Sequence, residues 1–292
     1  MRRGLLGDSA GRDYTAKLSR FNAHAEPELR QAIASLDLQP GMRVVDVGCG
    51  SGDNLVLLGE ALGRGGANAK AHANAHAHKN DTSLLIGFDL AAAHAMAARA
   101  RNAPSALIAQ ADLLRAPLGR ASVDLIWCMN TINHVHEPAA ALTRLAELLR
   151  PGGRIALAQS ALLPEMYFAW DARLERLVTE AVRQYYRKRY GVDERRLTAV
   201  RALVGLLRAA GLRDIRARTL MIERIAPLKP ADERYLAEAV FRDTWGERLR
   251  PYLQPEDYQE VSRLTDPQDP AYALRRPDFH YLQSLTLVVA AI

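Results

Sequence analysis

One stretch constrains the fold more than any other. A short apolar run, Val44-Val45-Asp46-Val47, passes directly into Gly48-Cys49-Gly50-Ser51-Gly52 and then into a helical stretch from about 53 to 61. A strand, a tight glycine turn and a helix make a concave floor: glycine permits the sharp turn and a close approach to a ligand, and a helix start favours an anionic group. In open parallel sheets such a turn lies beyond the carboxyl ends of the strands, where ligands bind.

The pattern around it is that of repeated strand–helix units. Apolar segments at 43–47, 84–89, 106–111, 123–129 and 154–159 are rich in Val, Ile and Leu, as strands covered on both faces should be. Helical patterns fall between them. A helix is expected at 137–150, where Ala141, Leu142, Leu145, Leu148 and Leu149 recur at helical spacing before the break Pro151-Gly152-Gly153. After 160 the expectation is amphipathic helices at about 165–190 and 196–210, a strand at 214–224, helix from 231 to 264 and a last strand at 281–289. The two late strands pair antiparallel at the sheet edge. The fold class is α/β, a doubly wound, mostly parallel seven-stranded sheet with an added helical cap. Residues 1–35 read as an N-terminal helical lid, 36–160 as the ligand-binding core, and 161–292 as a helical substrate cap plus the two strands that complete the sheet.

Residues 62–83 interrupt the regularity and read as a disordered surface loop. His72, Asn74, His76 and His78 fall within it, but without carboxylate or cysteine partners they do not make a metal site, and no metal is expected.

Composition removes several classes of function. Apolar residues make up 49% and charged residues 25%, so the chain should fold into a packed domain. The net charge of +6 is spread along the chain rather than gathered in a run, which gives no nucleic-acid footprint. Two cysteines, both in apolar segments, are not a disulfide framework. No apolar run approaches the ~20 residues that span a bilayer, and the start has no signal-peptide core. The expectation is a cytoplasmic protein with a small-molecule partner, without nucleic acid or membrane, and with a homodimer left open.

A dinucleotide fingerprint requires a glycine three positions after Gly50, and Asp53 stands there instead. Together with Val-Val-Asp-Val before it, the G-x-G-x-G turn resembles the first motif of class I S-adenosylmethionine-dependent methyltransferases, and a nicotinamide oxidoreductase is disfavoured. Asp89 lies at the end of the second strand, 43 residues after Asp46. Without the irregular loop the interval is about 22, close to the ~20 expected between a glycine turn and a ribose-binding acid.

The resemblance, carried by about residues 40–160, implies the rest of the site. S-adenosyl-L-methionine would be held by Asp46, Gly48, Cys49 and Gly50 of the turn, by Asp89 and Leu90 at the ribose, and by Asp112 and Leu113 at the adenine. Asn130, ending the fourth strand, would face the methionine half, and Tyr14 would belong to a lid helix. Asp124, at a strand start, reads as structural.

The implied activity is methyl transfer to a small organic acceptor, most readily a hydroxyl or carboxylate oxygen of a secondary metabolite or quinone-like compound. Alternatives are nitrogen or carbon methylation of a small molecule, RNA or protein methylation, or a non-methylating protein that keeps the cofactor. Methyl transfer needs an aligned nucleophile and exclusion of water; an alcohol also calls for a general base. His134, in the loop after the fourth strand, is the catalytic candidate, although a role in shaping that loop is an equal alternative. His136 is expected at the surface, and His280 reaches the pocket only if the final strand begins pointing inward. Tyr167, Phe168, Trp170, Tyr185 and Tyr186 are candidate walls for an organic acceptor.

Overall fold

A computed structural model describes residues 13–63, 82–135, 137–160, 166–168, 170–190 and 199–292. The five expected parallel strands are β1 (Arg43–Val47), β2 (Leu84–Asp89), β3 (Leu107–Gln110), β4 (Val123–Met129) and β5 (Leu149–Ser160). In space they stand in the order β3-β2-β1-β4-β5, so the direction of winding reverses between β1 and β4. That reversal opens a crevice at the carboxyl edge, where the glycine turn lies. Every residue of β4 is buried, as a strand covered on both faces requires.

The two late strands are β7 (Arg213–Ile225) and β8 (His280–Ala291), and a short β6 (Met166–Phe168) precedes both. β8 runs antiparallel between β5 and β7 and pairs with both. β6 adds an unexpected eighth strand by continuing β5's side of the ladder against Tyr281–Gln283. Ser160, the end of β5, faces Leu285, so residues 280–284 project past the carboxyl edge of the parallel strands.

Helices α1 (Thr15–His24), α2 (Glu26–Ala34) and α3 (Asp53–Ala61) pack on one face of the sheet, with α4 (Ala92–Asn102) beside them. The other face is covered by α5 (Pro138–Ala146) and α7 (Ala199–Ala209), whose Leu142, Leu145, Leu203 and Leu207 meet Val45 and Val47. α6 (Ala172–Tyr190) joins the first face, its start capped by the Asp171 carboxylate, which accepts from the Leu174 N–H at 2.8 Å.

Several boundaries differ from expectation for local reasons. α5 stops at Ala146 because Leu149, read as helical, instead pairs with Val123 in the sheet. Pro151-Gly152-Gly153 is then a bulge inside β5, between Leu149 and Arg154, with Gly152 at φ +78°. The helix expected from 165 begins only at Ala172, since Met166–Phe168 join the sheet. The helix expected over 231–264 is broken. α8 (Pro230–Arg234) passes into a π-helix over Tyr235–Trp245, then into 3-10 turns at Gly246–Arg248 and Arg250–Tyr252, before α9 (Pro255–Thr265). Gly246 at φ +42° and Pro251, which lacks an N–H, end the regular helix. Most of the 62–83 loop, with its histidines, lies outside the described residues, as do 196–198. Among the described residues no helix is long and apolar enough to cross a membrane.

Candidate active site

The glycine turn stands on the end of β1, with Gly48, Gly50 and Gly52 at φ +73°, +53° and +78°. At Gly48 the requirement for glycine is twofold. Its backbone is left-handed, and a Cβ would lie 2.3 Å from Thr131 Oγ1 of the β4 loop. The N–H groups of Gly48 and Cys49 both donate to the Phe88 carbonyl, at 2.8 and 3.1 Å, which ties the turn to the end of β2. Cys49 is buried, and burial together with Asp46 and Asp89 holds its thiol far above the ordinary range.

The two neighbouring carboxylates are driven apart. Asp46 is buried on β1, and burial, reinforced by the charge of Asp89, raises it well above the usual carboxylate range. Asp89 accepts from Gly50 N–H at 3.0 Å, Ala91 N–H at 2.9 Å and His94 Nδ1 at 3.2 Å. Burial acts to raise Asp89 too, but those hydrogen bonds outweigh it and the group sits below its ordinary value. Asp89 is therefore an anion beside a carboxyl that resists ionisation.

His94 links this acid to the start of α1. The Tyr14 N–H donates to His94 Nε2 at 3.2 Å, so Nε2 is the acceptor and Nδ1 carries the proton given to Asp89. Tyr14 lies at the N-cap of α1, one residue before the helix expected to contain it, and its ring is 6.5 Å from that of His94. Asp53, noticed in the sequence only as a missing glycine, is the second anchor. It accepts from Ser51, from Ser19 and Asn22 of α1, and from Arg101 of α4. Leu18 of α1 meets Gly50 from above, where a Cβ would come within 2.9 Å.

The remaining expected residues line the same edge. Asp112 follows β3 and accepts from Leu114 N–H at 3.0 Å, starting the 3-10 turn Leu113–Arg115. Leu90 follows Asp89, its carbonyl accepting from Gln110 at 3.2 Å. Asn130 ends β4 at φ +48°, a conformation asparagine tolerates. Its side-chain oxygen turns toward β5, accepting from Gln159 Nε2 at 2.8 Å and Ser160 N–H at 2.9 Å, so the Oδ1 expected at the methionine half is engaged with β5. His134 is half-buried at the end of the 3-10 turn Ile132–His134, and His136 lies outside the described residues. Asp124 accepts from Arg43 N–H at 2.8 Å and pairs with Arg150 at the opposite edge, which makes it structural.

Two expectations for the acceptor side need revision. His280 points outward, held 2.8 Å from Glu223 at the surface of the β7–β8 ladder. The aromatic group divides: Phe168 and Trp170 join Phe241, Trp245 and Tyr281, while Tyr185 packs on Tyr186 and on Tyr252. No linear motif announced His24, His94, Arg224, Asp232 or Tyr235, whose remote contacts are His24 with Asp232, His94 with Tyr14, Arg224 with Glu28 and Tyr235 with His24.

Four buried side-chain oxygens have no hydrogen-bond partner among the described residues: Asp46 Oδ2 on β1, Asn54 Oδ1 in the first turn of α3, Asn133 Oδ1 after β4 and Gln159 Oε1 on β5. A buried acceptor without a donor is costly, and a ligand with a cationic ammonium group supplies such donors. Flanked by the left-handed turn and the ionised Asp89, they suit an amino-acid nucleoside such as S-adenosylmethionine.

Comparison with known proteins agrees. Residues 21–217 match the model of a family described as methyltransferase domain. A ubiquinone biosynthesis O-methyltransferase of Ralstonia nicotianae is 32% identical over 115 residues, covering 39% of this chain and 42% of that protein. A 27-O-demethylrifamycin SV methyltransferase of Amycolatopsis mediterranei is 25% identical over 161 residues, covering 55% and 54%. The chain spans about half the length of the curated relatives it matches. Among solved structures, a chain from a complex between the Haloferax volcanii Trm112 methyltransferase activator and a methyltransferase shares the fold. It has a TM-score of 0.52 at 18% identity over 95% of this chain and 92% of that one. The family match covers more than half of the chain, which belongs to the methyltransferase domain family, the class I group whose donor is S-adenosylmethionine.

Proposed function

We propose that this protein transfers the methyl group of S-adenosylmethionine to an oxygen of a small organic acceptor. The observation that carries the reading is the set of unpartnered buried oxygens at β1, α3 and the β4 and β5 ends, with the Asp89 carboxylate held below its usual range and the Asp46 carboxyl raised above it. When bound, the donor supplies an electrophilic methyl on a sulfonium, which departs as a neutral thioether once an acceptor lone pair displaces it. Asp89 takes the ribose hydroxyls, Asp112 the adenine amino group, and Leu90 and Leu113 the faces of the ring. Asp46, Gly48, Cys49, Gly50 and Asn130 surround the methionine half, and Tyr14 closes over the nucleoside from α1.

His134 sits in the loop after β4, beside the place of the methyl, and contacts the acceptor there. An organic acceptor is supported by the aromatic wall of Phe168, Trp170, Phe241 and Trp245, and by relatives named for ubiquinone and rifamycin O-methylation. Calorimetry with S-adenosylhomocysteine tests the donor site: micromolar binding is expected, and absence of binding to both it and S-adenosylmethionine overturns the reading.

A further inference from the structure

The last residue of α1, His24, has a side chain with no exposed surface. Its Nδ1 lies 2.7 Å from Asp232 Oδ1. An ionised carboxylate only accepts, so Nδ1 carries the proton and Nε2 presents a bare lone pair. That atom is buried without a partner among the described residues. Burial outweighs Asp232 and keeps the ring below the ordinary histidine value, hence neutral at physiological pH.

The carboxylate is itself fixed. Arg224 Nε donates to the same Asp232 oxygen at 2.7 Å, and its two remaining nitrogens grip Glu28 at 2.9 Å each. Tyr235 stacks on the imidazole with centroids 4.4 Å apart, and Tyr281 meets it edge-on at 5.6 Å. The Tyr281 hydroxyl is engaged elsewhere, donating to Gln283 at 2.7 Å. A histidine oriented by a buried carboxylate, with its other nitrogen bare, has the form of a general base.

Its position suits the acceptor. Tyr281 and Gln283 lie on the part of β8 that projects beyond the end of β5. From Leu18, which covers Gly50, to His24 the helix advances about 9 Å, a span that one small organic molecule bridges. Phe168, 5.0 Å from Tyr281, continues the wall into Trp170 and Trp245, whose buried indole N–H groups also lack partners among the described residues. Those donors suit further oxygens on the acceptor.

We propose that His24 is a catalytic base for this reaction, that Asp232 is its positioning residue, and that the acceptor is an aromatic molecule bearing a hydroxyl un-ionised at neutral pH. The proposal rests on the methyltransferase reading above. As the acceptor oxygen bonds to the methyl carbon and the carbon–sulfur pair stays on sulfur, the O–H bond breaks and its proton forms the Nε2–H bond. The imidazolium then neutralises a cluster in which Asp232 and Glu28 outnumber Arg224 by one charge. A carboxylate acceptor has no proton to give and gains nothing from this base.

The test uses the full chain with isotope-labelled histidine, saturated with S-adenosylhomocysteine, and reads His24 by long-range nitrogen–proton correlation. In the free state Nδ1 should be protonated and Nε2 bare. Phenol, catechol or benzyl alcohol should move the Nε2 resonance toward the hydrogen-bonded position, whereas veratrole, which has no hydroxyl, should not. His24→Asn keeps a donor toward Asp232 but loses the lone pair. Its S-adenosylhomocysteine affinity should stay within about twofold, while methyl transfer to the responding hydroxyl fragment falls about 100-fold. Asp232→Asn should lower kcat with KM retained and displace the acid limb of the pH–rate profile. A protonated Nε2 at neutral pH, no response to any of the three fragments, or an unchanged rate in His24→Asn overturns the assignment while leaving the methyltransferase reading intact. Failure of S-adenosylhomocysteine to bind the wild type overturns that reading instead.

Discussion

The two halves proposed for this crevice, one for the methyl donor and one for the acceptor, are built on different principles. The donor half is assembled from strand ends: Gly48–Gly52 after β1, Asp89-Leu90 after β2, Asp112-Leu113 after β3 and Asn130 after β4. Each contact belongs to a run of one to five neighbouring residues, and much of the shape comes from backbone. The acceptor half is assembled from single side chains that meet from remote segments, as when His24 reaches Asp232 across 208 positions. A site made of backbone turns is set by the topology of the sheet. One made of converging side chains can be exchanged residue by residue without disturbing that topology.

The sharpest way to break this contrast is Gly48→Ala. The added Cβ meets Thr131 Oγ1 at 2.3 Å on a left-handed backbone, so affinity for S-adenosylhomocysteine should drop about 100-fold by calorimetry. Wild-type affinity would mean that the turn does not form the donor floor. His134→Ala probes the junction between the halves. Turnover should fall at least about tenfold with little change in cofactor affinity, and an unchanged rate would reduce His134 to a loop scaffold.

A smaller effect is expected at the lid. His94→Phe removes both the acceptor for Tyr14 N–H and the donor to Asp89, so S-adenosylhomocysteine should dissociate about three- to fivefold faster in stopped-flow measurements. Equal rates would show that α1 is held without this link.

The smallest effect is one of pH on stability. His24 faces Asp232 of α8, Arg224 of β7, Glu28 of α2, Tyr235 of the π-helix and Tyr281 of β8, and burial leaves its folded pKa below the unfolded value. The unfolded chain therefore takes up the proton first, and stability is lost as pH falls from about 6.5 toward the folded value. Thermal unfolding at about pH 7.5 and about pH 5.5 should show a smaller acid-induced drop in Tm for His24→Asn than for wild type. Equal drops would rule out a buried neutral imidazole.

The same contrast explains what could be read from the sequence. The five parallel strands, the reversal at β1 and the glycine turn were legible because local apolar patterning and chain order determine them. The N-terminal helix read around Tyr14 is α1, which starts one residue after it. Leu149 was misread because helical spacing and a buried strand start look alike over a few residues, and the 231–264 helix was overextended because apolar periodicity persists through Gly246 and Pro251. Asp53 was legible only as a departure from a dinucleotide pattern. Its work in holding Ser19, Asn22 and Arg101 depends on three separate helices. His24 carries no local signal at all, because a histidine at a helix end is ordinary until Asp232 and Tyr235 are brought against it.

β8 has a consequence for how this molecule is made. It pairs with β5 and β6 on one side and β7 on the other, yet it follows all three in the chain. Until it emerges from the ribosome, the edge of β5, with Ile155, Ala156, Leu157 and Ala158, has no partner on that side, and β7 has no sheet to join. An open apolar edge of that kind is a template for wrong pairing with another chain. The nascent protein therefore carries this hazard until β8 is made, and insertion of that one antiparallel strand between β5 and β7 removes it.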